Sequence, residues 1–315
     1  MLSSQRSFRS PGDSYRHART RQLGHSLGST EAADRSVMPK RLTADEVAQY
    51  RRDGYICPVP VMDAARAAGY RQMLERFESE QGGPVSGALR NKCHLLFRWV
   101  DELMRDETVL DTVEDLIGEN ILCWNTLFWI KEPQTKSYVS WHQDLNYWGL
   151  DTDDLITVWL ALSPATPESG CMSVLPGSHR GEFMPHDDTF QQDNMLTRGQ
   201  EITVEVDEAE TVSMPLRPGE ISMHNGRLAH ASSPNTSRDR RIGVSFHYMP
   251  TRTRQIIGDW DSAALVRGED IYRHFTHTPR PTRDFDPETV KFHSKASDAV
   301  RDILFHGADK VRQTL

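Results

Sequence analysis

The stretch SWHQDLNYWGL, residues 140–150, places an imidazole and a carboxylate two positions apart, at His142 and Asp144. Alternate residues of a β-strand point to the same face of a sheet, so a strand here would deliver both groups to one place. One more histidine would complete the 2-His-1-carboxylate set that is typical of non-haem Fe(II) oxygenases. Alone, the short HxD pattern is weak evidence, because a histidine beside a tryptophan is usually a packed, hydrogen-bonded side chain.

Three downstream histidines, His224, His230 and His247, are candidates for the second imidazole. We favour His230 because it lies in RLAHASSPN, at a predicted strand end or turn, where ligands from separate strands can converge. Arg241 follows 11 residues later and can return to the same cavity, where its guanidinium fork fits a carboxylate. Its neighbour Arg240 is the rival for that role. We interpret His224 and His247 as structural groups or as groups that support the ligands.

The elements that must position these residues change in kind along the chain. Thr43 and Glu46 form a capping box at the start of LTADEVAQYRRDGY, and Gly54 is placed to end this helix. Helical patterns follow in AARAAGYRQMLERFESE, WVDELMRD and ETVLDTVEDLIG, so the N-terminal third is predicted to be helical. From about Ile121 the pattern changes to short strand-like runs separated by turn residues, from ILCWNTLFWI to RIGVSFHYMP.

Many short strands with helices segregated to one end favour an α+β fold with a mainly β core. We expect a double-stranded β-helix, that is, a cupin-like jelly roll, flanked by N-terminal helices and by a C-terminal helix around SDAVRDILF. Residues 42–315 are predicted to form a single domain. Residues 1–41, which are rich in Ser and Arg, are predicted to be a disordered tail. A misassigned start before Met38 or a transit-like segment explains the same composition.

Composition excludes several classes of protein. The net charge is -8, and Lys and Arg do not cluster along any predicted element, so nucleic acid is not an expected partner. The 4 cysteines include no CxxC pair, which argues against a zinc ribbon and against a disulfide scaffold. No apolar run approaches the roughly 20 residues of a membrane span. We expect a cytoplasmic monomer or homodimer acting on a small molecule, or a mitochondrial matrix protein if the tail is a transit peptide.

Several motifs in order resemble the phytanoyl-CoA dioxygenase (PhyH) family of Fe(II)- and 2-oxoglutarate-dependent oxygenases. WHQD carries the HxD pair, and VWLALSPATPESGCMSVLPGSH resembles a strand, a loop and the PGSH turn of that family. LRPGE matches the turn before the next strand, and LAHASSPNTSRDRR resembles an H-x-S-x-x-N segment closed by an arginine. The likeness runs from about Leu42 to Pro250 and is weakest in the helical third.

The resemblance implies that His142, Asp144 and His230 bind Fe(II), and that Arg241 grips the distal carboxylate of 2-oxoglutarate. It also implies that the co-substrate pocket is lined by Asn125 and Trp159, although core packing explains Trp159 equally well. The implied reaction consumes dioxygen, converts 2-oxoglutarate into succinate and CO2, and hydroxylates a C–H bond of a small or medium metabolite. Halogenases that resemble this family have Ala or Gly in place of the carboxylate, so the presence of Asp144 favours hydroxylation over chlorination.

Several alternatives stay open. Desaturation or another oxidative tailoring reaction uses the same carboxylate triad. A catalytically inactive jelly-roll binding module would share the fold, and a cupin-like enzyme could use the ligands with another divalent metal. For the substrate, Tyr147 and Trp148 are predicted to line the pocket mouth and to hold an apolar chain or a cationic ammonium group, or else they form a packing cluster. His94 is a candidate polar contact. A CoA thioester is disfavoured because this acidic chain shows no basic groove.

Overall fold

The structure, a computed structural model, describes residues 39–311, which contain six α-helices and thirteen β-strands. The helices are α1 (Ala44–Asp53), α2 (Ala64–Gln81), α3 (Arg98–Leu103), α4 (Glu107–Ile117), α5 (Leu145–Trp148) and α6 (Pro287–Leu304). The strands are β1 (Tyr55–Pro60), β2 (Ile121–Lys131), β3 (Val139–His142), β4 (Ile156–Ala161), β5 (Met172–Val174), β6 (His186–Asp188), β7 (Gln200–Ile202), β8 (Val212–Met214), β9 (Glu220–Asn225), β10 (His230–Ser232), β11 (Arg241–Pro250), β12 (Ser262–Arg267) and β13 (Thr276–His277). None of the described helices is long and apolar enough to cross a lipid bilayer.

Two sheets form the β core. The larger sheet has 7 strands in the order β1-β9-β4-β11-β2-β12-β13, and the smaller has 4 strands in the order β3-β10-β5-β8. Strands β6 and β7 form a separate two-stranded sheet. Apart from the pairs β12-β13 and β6-β7, neighbouring strands are not consecutive in the chain, as expected of a jelly roll and not of a meander. The predicted fold class, a mainly β jelly roll with flanking helices, is therefore confirmed.

Strand β11 shows how the larger sheet separates a packed face from a face that can carry chemistry. Its side chains alternate between the two faces, with Ile242, Val244, Phe246 and Tyr248 entering the main hydrophobic core. That core also contains residues of α2, α3 and α4, so the N-terminal helices cover this face of the sheet. The intervening residues of β11 face the other way, towards the smaller sheet. Every residue of β11 is thus buried, because both faces of this strand are covered.

The N-terminal third differs from the prediction in one element. The capping box of α1 forms as predicted, with the Glu46 amide donating to Thr43 Oγ1 at 3.2 Å, and Gly54 ends the helix with φ +84°. The segment YICPVP, however, forms strand β1, which pairs antiparallel with β9. The wholly helical prediction was wrong here because this short run finds its hydrogen-bond partners more than 160 residues later in the chain.

Two further differences lie after residue 250. Strands β12 and β13, which were not predicted from the sequence, lie in this part of the chain, and β12 pairs antiparallel with β2 to extend the larger sheet. The C-terminal helix forms as predicted but is longer, because Asp286 caps it and Pro287 occupies its first turn. Strands β12 and β13 thus extend the larger sheet beyond β2.

The predicted tail overlaps the described chain at its last three residues. Asp115 of α4 accepts hydrogen bonds from the backbone amides of Lys40 (2.6 Å), Arg41 (2.8 Å) and Leu42 (2.8 Å). Residues 39–41 therefore belong with the folded domain, whereas residues 1–38 of the predicted tail lie outside the described residues. One carboxylate thus fixes the start of the domain against the helical layer.

Replacing Asp115 with alanine should release this start. Trypsin cleaves after lysine and arginine, and a segment must be released from its hydrogen bonds before the protease can bind it. Asp115→Ala should therefore be cut after Lys40 and Arg41 several-fold faster than the wild type. Mass spectrometry of a timed digest would identify the fragments that begin at Arg41 and Leu42. Glu119→Ala, which removes an exposed acid just beyond α4, is the matched control and should leave the rate unchanged. Equal cleavage of all three proteins would contradict the anchoring role of Asp115.

Candidate metal centre

The two histidines are direct neighbours on adjacent strands. His142 at the end of β3 and His230 at the start of β10 are Cα partners in the antiparallel pairing, and their ring centres lie 4.1 Å apart. His142 Nδ1 donates to the carbonyl of Ser140 at 2.9 Å, and His230 Nδ1 donates to the carbonyl of Leu228 at 2.9 Å. A carbonyl only accepts, so Nδ1 carries the hydrogen in both rings. Each Nε2 is thereby left with a free lone pair, as a metal ligand requires.

Asp144 reaches the same place by a turn and not by strand alternation. Strand β3 ends at His142, and Asp144 has right-handed helical angles, φ -54° and ψ -53°, at the start of α5. The predicted reason for the pairing, a shared strand face, was therefore wrong. The intervening Gln143 is fully buried and fixes the turn. Its backbone amide donates to His186 Nε2 at 3.1 Å, and its side-chain amide donates to the carbonyl of Arg227 at 2.6 Å.

The three side chains converge. Asp144 Oδ1 lies 3.3 Å from His142 Nε2 and 4.0 Å from His230 Nε2, and one donor atom from each residue lies within 4.8 Å of the other two. All three residues are buried. Two imidazole nitrogens and one carboxylate oxygen facing a common point form a donor set that suits Fe(II).

Electrostatics keep the donors in the form that binds a metal ion. Burial alone would raise the pKa of Asp144, but the imidazoles of His230, His142 and His224 outweigh it and hold that pKa well below its usual value. Burial, together with the neighbouring rings of His142 and His224, lowers the pKa of His230 well below its usual value. Asp144 is thus charged and His230 neutral at physiological pH, which are the protonation states needed for coordination.

These donors lie on the wall of a cavity between the two sheets, with an empty volume of about 1210 Å³ that includes its open mouth. Five other residues predicted to belong to the site line the same cavity: Asn125, Tyr147, Trp148, Trp159 and Arg241. His94 does not line it. This imidazole is fully buried behind β2, where its Nδ1 lies 3.0 Å from Thr126 Oγ1. The structure thus places His94 away from the cavity that holds the other predicted site residues.

Geometry separates the two neighbouring arginines. Arg240 pairs with Glu78 (2.7 Å) and Glu132 (2.8 Å), so its charge is compensated within the protein. Arg241 is buried on the cavity wall and donates through Nη1 to the carbonyl of Gly170 at 2.6 Å. Within residues 39–311, no ion pair joins Arg241 to an acidic side chain. Arg241 is thus the arginine that can bind a carboxylate from outside the chain.

Arg241 is one of three basic side chains near this end of the cavity that lack an acidic partner in the described part of the chain. Arg90 lines the cavity, and its guanidinium lies 5.5 Å from the centre of the Trp129 ring. Lys131 is fully buried and donates to Ser232 Oγ at 2.8 Å and to the Ser232 carbonyl at 3.0 Å. Two buried guanidinium groups without an acidic partner, with a basic amine beside them, could accept an anion from outside the chain.

The pKa values of this group reflect its burial and crowding. Burial lowers the pKa of Arg241 to about 10 and that of Arg90 to about 10, and the two guanidinium groups repel each other. Burial and the positive charge of Arg241 lower the pKa of Lys131 to about 6. A bound carboxylate would relieve this repulsion. Sequence reasoning missed Arg90 and Lys131. Nothing in their local sequence shows that the turn of Arg90 packs on β2, or that Lys131 on β2 pairs with Arg241 on β11.

Trp159 and Asn125 lie on the cavity wall but are held mainly by the protein itself. The Asn125 amide accepts from the Lys92 and Thr126 amides and donates to Asn91 Oδ1 at 2.7 Å. Trp159 lies beneath Arg241, whose guanidinium carbon is 5.3 Å from the ring centre. The ring also packs in a small apolar cluster, so core packing and a place on the wall both apply.

The aromatic pair after Asp144 lines the opposite part of the cavity. Trp148 stacks on His247 with ring centres 4.4 Å apart and lies 5.1 Å from Trp124. Tyr147 is half-buried, and the Arg198 guanidinium lies 5.2 Å from its ring centre. Both predictions, a place at the pocket wall and an aromatic packing cluster, therefore describe these residues.

Two imidazoles and a carboxylate that converge in the cavity of a jelly roll are the arrangement typical of non-haem Fe(II) oxygenases. The sequence profile of the phytanoyl-CoA dioxygenase (PhyH) family matches residues 50–243. The chain belongs to this family. The predicted family and the class of Fe(II)- and 2-oxoglutarate-dependent dioxygenases are thereby confirmed.

Individual relatives agree with this assignment. A probable alpha-ketoglutarate-dependent hypophosphite dioxygenase of Stutzerimonas stutzeri is 32% identical over 59% of this chain and 67% of its own length. The human peroxisomal phytanoyl-CoA dioxygenase is 28% identical over 44% of this chain and 43% of its own. The matched segment thus spans less than half of the human enzyme. Among solved structures, the non-heme monooxygenase ThoJ in its apo form has a TM-score of 0.74 and 32% identity, over 83% of this chain and 98% of that one.

Gly243 tests whether the Trp159 ring shapes the anion pocket. A Cβ atom at Gly243 would lie 2.0 Å from the Trp159 ring, so Gly243→Ala must displace the indole beneath Arg241. We expect the affinity for 2-oxoglutarate to fall by about tenfold, since a displacement of about 1 Å is enough to disturb a positioned group. Calorimetric titration of the Co(II)-loaded protein with 2-oxoglutarate would measure it. Gly69→Ala is the control, because a Cβ there meets nothing within 4 Å. An unchanged affinity in Gly243→Ala would contradict the role of Trp159.

Proposed function

We propose that His142, Asp144 and His230 bind Fe(II), and that the enzyme hydroxylates a C–H bond of a small or medium metabolite with 2-oxoglutarate as co-substrate. The observation that supports this most strongly is the convergence of the three donor atoms within 4.8 Å in a buried site. The orientation of the donors adds support, because backbone carbonyls hold Nδ1 of both imidazoles and leave Nε2 for a metal ion.

We also propose that Arg241 binds the distal carboxylate of 2-oxoglutarate, with Arg90 adding positive charge nearby. Arg241 and the three metal-binding donors line one cavity, so a molecule with an anionic group at each end can contact both. Arg241 offers a guanidinium fork that no acid of the described chain occupies, and its burial strengthens a hydrogen bond to a carboxylate. The Gly170 carbonyl holds the guanidinium in place at 2.6 Å.

When bound, Fe(II), 2-oxoglutarate and dioxygen supply the oxidant, while 2-oxoglutarate is converted into succinate and CO2. The chain's own contribution is placement and exclusion of water. Asp144 and His230 are held in their metal-binding protonation states, and Arg241 orients the co-substrate. The carboxylate at Asp144 supports hydroxylation over chlorination, because it fills the position that a halide would need. The intact donor set and the unpaired Arg241 argue against an inactive binding module and against a metal hydrolase.

For the substrate we propose an uncharged, largely apolar reacting part. The Tyr147 ring already has the Arg198 guanidinium 5.2 Å from its centre, and the buried Trp124 ring, which also lines the cavity, has Lys92 Nζ at 5.6 Å. Arg198 is itself paired with Asp188. With a cation already over Tyr147, and with Trp148 packed against His247 and Trp124, a cationic ammonium group fits less well at these rings than an aliphatic or aromatic body.

Neighbouring arginines provide a matched pair of variants for the co-substrate site. Arg241→Met should weaken 2-oxoglutarate binding by about 100-fold, because it removes a buried, charge-assisted pair of hydrogen bonds. Arg240→Met should leave this affinity unchanged, since Arg240 is neutralised by Glu78 and Glu132. Titration of each Co(II)-loaded protein with 2-oxoglutarate would give the dissociation constants. Equal affinities in the wild type and in Arg241→Met would contradict the proposal.

Product analysis tests the reaction itself. The wild-type protein, incubated with Fe(II), ascorbate, 2-oxoglutarate and a metabolite extract, should form succinate and convert one extract component into a product that is heavier by one oxygen atom. A product lacking two hydrogens would instead indicate desaturation. Asp144→Ala is the control and should form neither product. No succinate from the wild-type protein above the level of Asp144→Ala with any extract would contradict an oxygenase function.

A further inference from the structure

His224 is a third imidazole at the metal centre, and it is not one of the three proposed metal ligands. It lies on β9, is fully buried and lines the cavity. Its Nε2 is 3.6 Å from Asp144 Oδ2, and its ring centre is 4.3 Å from that of His230. Among the residues that the structure describes, neither of its ring nitrogens has a hydrogen-bond partner. A buried polar ring without partners is costly, and an apolar side chain would fill the same space without that cost.

The two oxygens of Asp144 have different surroundings. Oδ1 faces the metal-binding imidazoles, at 3.3 Å from His142 Nε2 and 4.0 Å from His230 Nε2. Oδ2 faces the larger sheet, where Thr157 Oγ1 donates to it at 3.1 Å and His224 Nε2 approaches it. Thr157 and His224 are Cα partners on β4 and β9, so the sheet places both groups beside the same oxygen.

We propose that His224 is a positioning residue: together with Thr157 it holds Asp144 Oδ2 so that only Oδ1 is presented to the metal ion. A carboxylate oxygen only accepts hydrogen bonds, so His224 carries its hydrogen on Nε2. The present distance is slightly longer than a hydrogen bond, and a small rotation of either side chain would close it. This inference rests on the proposed function, because it concerns how the Fe(II) ligand is oriented.

The proposal gives the arrangement a chemical reason. A carboxylate that binds through both oxygens occupies one more coordination position than a carboxylate that binds through one. The proposed reaction needs open positions for 2-oxoglutarate and dioxygen beside three protein ligands. Hydrogen bonds to Oδ2 keep that oxygen turned away. His224 is not itself a member of the group of donors that lie within 4.8 Å of one another, so a supporting role fits its position better than direct ligation.

Three variants separate positioning from simple packing. His224→Leu removes the N–H group, His224→Gln restores an N–H donor at a similar distance from the backbone, and His94→Leu removes a buried imidazole that does not line the cavity. Co(II), a redox-stable substitute for Fe(II), would be titrated into each protein by calorimetry. Loss of a group that orients a metal ligand typically weakens metal binding by about 10- to 100-fold, and we expect this loss in His224→Leu. His224→Gln should recover most of the affinity, and His94→Leu should bind as the wild type does.

A spectroscopic measurement and a double variant complete the test. The charge-transfer band of the anaerobic Fe(II) and 2-oxoglutarate complex should shift in His224→Leu and return to its wild-type position in His224→Gln. Thr157→Val should also weaken Co(II) binding, and its effect should be less than additive with that of His224→Leu, because both groups hold one oxygen.

Each contrary result has a distinct meaning. Wild-type affinity and an unshifted band in His224→Leu would overturn the inference, as would a His224→Gln protein that is as impaired as His224→Leu. An equal loss of affinity in His94→Leu would show that general destabilisation explains the effect. If the wild-type protein binds neither Co(II) nor Fe(II), the proposed function fails before His224 is tested.

Discussion

The Asp144 carboxylate is buried among three imidazoles, and the surrounding structure is arranged to compensate this charge. Removing a carboxylate from water is costly unless other groups replace its hydration. Thr157 and His224 face one of its oxygens, while His142 and His230 face the other. Strands from both sheets supply these groups, so the jelly roll is the device that brings them to one carboxylate. A divalent cation would complete the compensation, because it neutralises the carboxylate and binds the free imidazole nitrogens.

The cavity carries charges of both signs, and their distribution supports the proposed co-substrate. The wall carries Arg241 and Arg90, neither of which has an acidic partner among the described residues, and it also carries the negative carboxylate of Asp144. Arg240, one position before Arg241, shows the ordinary arrangement for this protein, with Glu78 and Glu132 at hydrogen-bonding distance. This contrast between adjacent arginines supports the proposal that Arg241 binds an anion from outside the chain. With a divalent cation bound at Asp144, a dicarboxylate would meet positive charge at both of its ends, at the metal ion and at Arg241.

Much of this arrangement could be predicted from the sequence, because the relevant patterns are local. The HxD pair, the histidine in RLAHASSPN and the arginine after it identify residues that lie together in the structure, and the capping box of α1 forms as its residues indicate. The strand-like runs after Ile121 correctly predict the mainly β core. Local patterns also misled in one respect, since Asp144 is placed by a turn that Gln143 anchors and not by the strand that carries His142.

The remaining features depend on register, which a single sequence does not reveal. Thr157 and His224 become partners of Asp144 only because β4 pairs with β9 in one register. Strand β1 forms because β9 offers its free edge, and Arg90 belongs to the anion pocket only because its turn packs on β2. The position of His94 also depends on tertiary structure. The sequence makes it a candidate contact for a substrate, but its side chain points to Thr126 behind the sheet.

The central claim is that His142, Asp144 and His230 form a metal centre that binds 2-oxoglutarate. Anaerobic addition of Fe(II) and 2-oxoglutarate to the wild-type protein tests it most directly, by visible absorption spectroscopy. We predict a weak charge-transfer band that requires both additions and is absent in His142→Ala. No band in the wild-type protein, or an unchanged band in His142→Ala, would contradict the account.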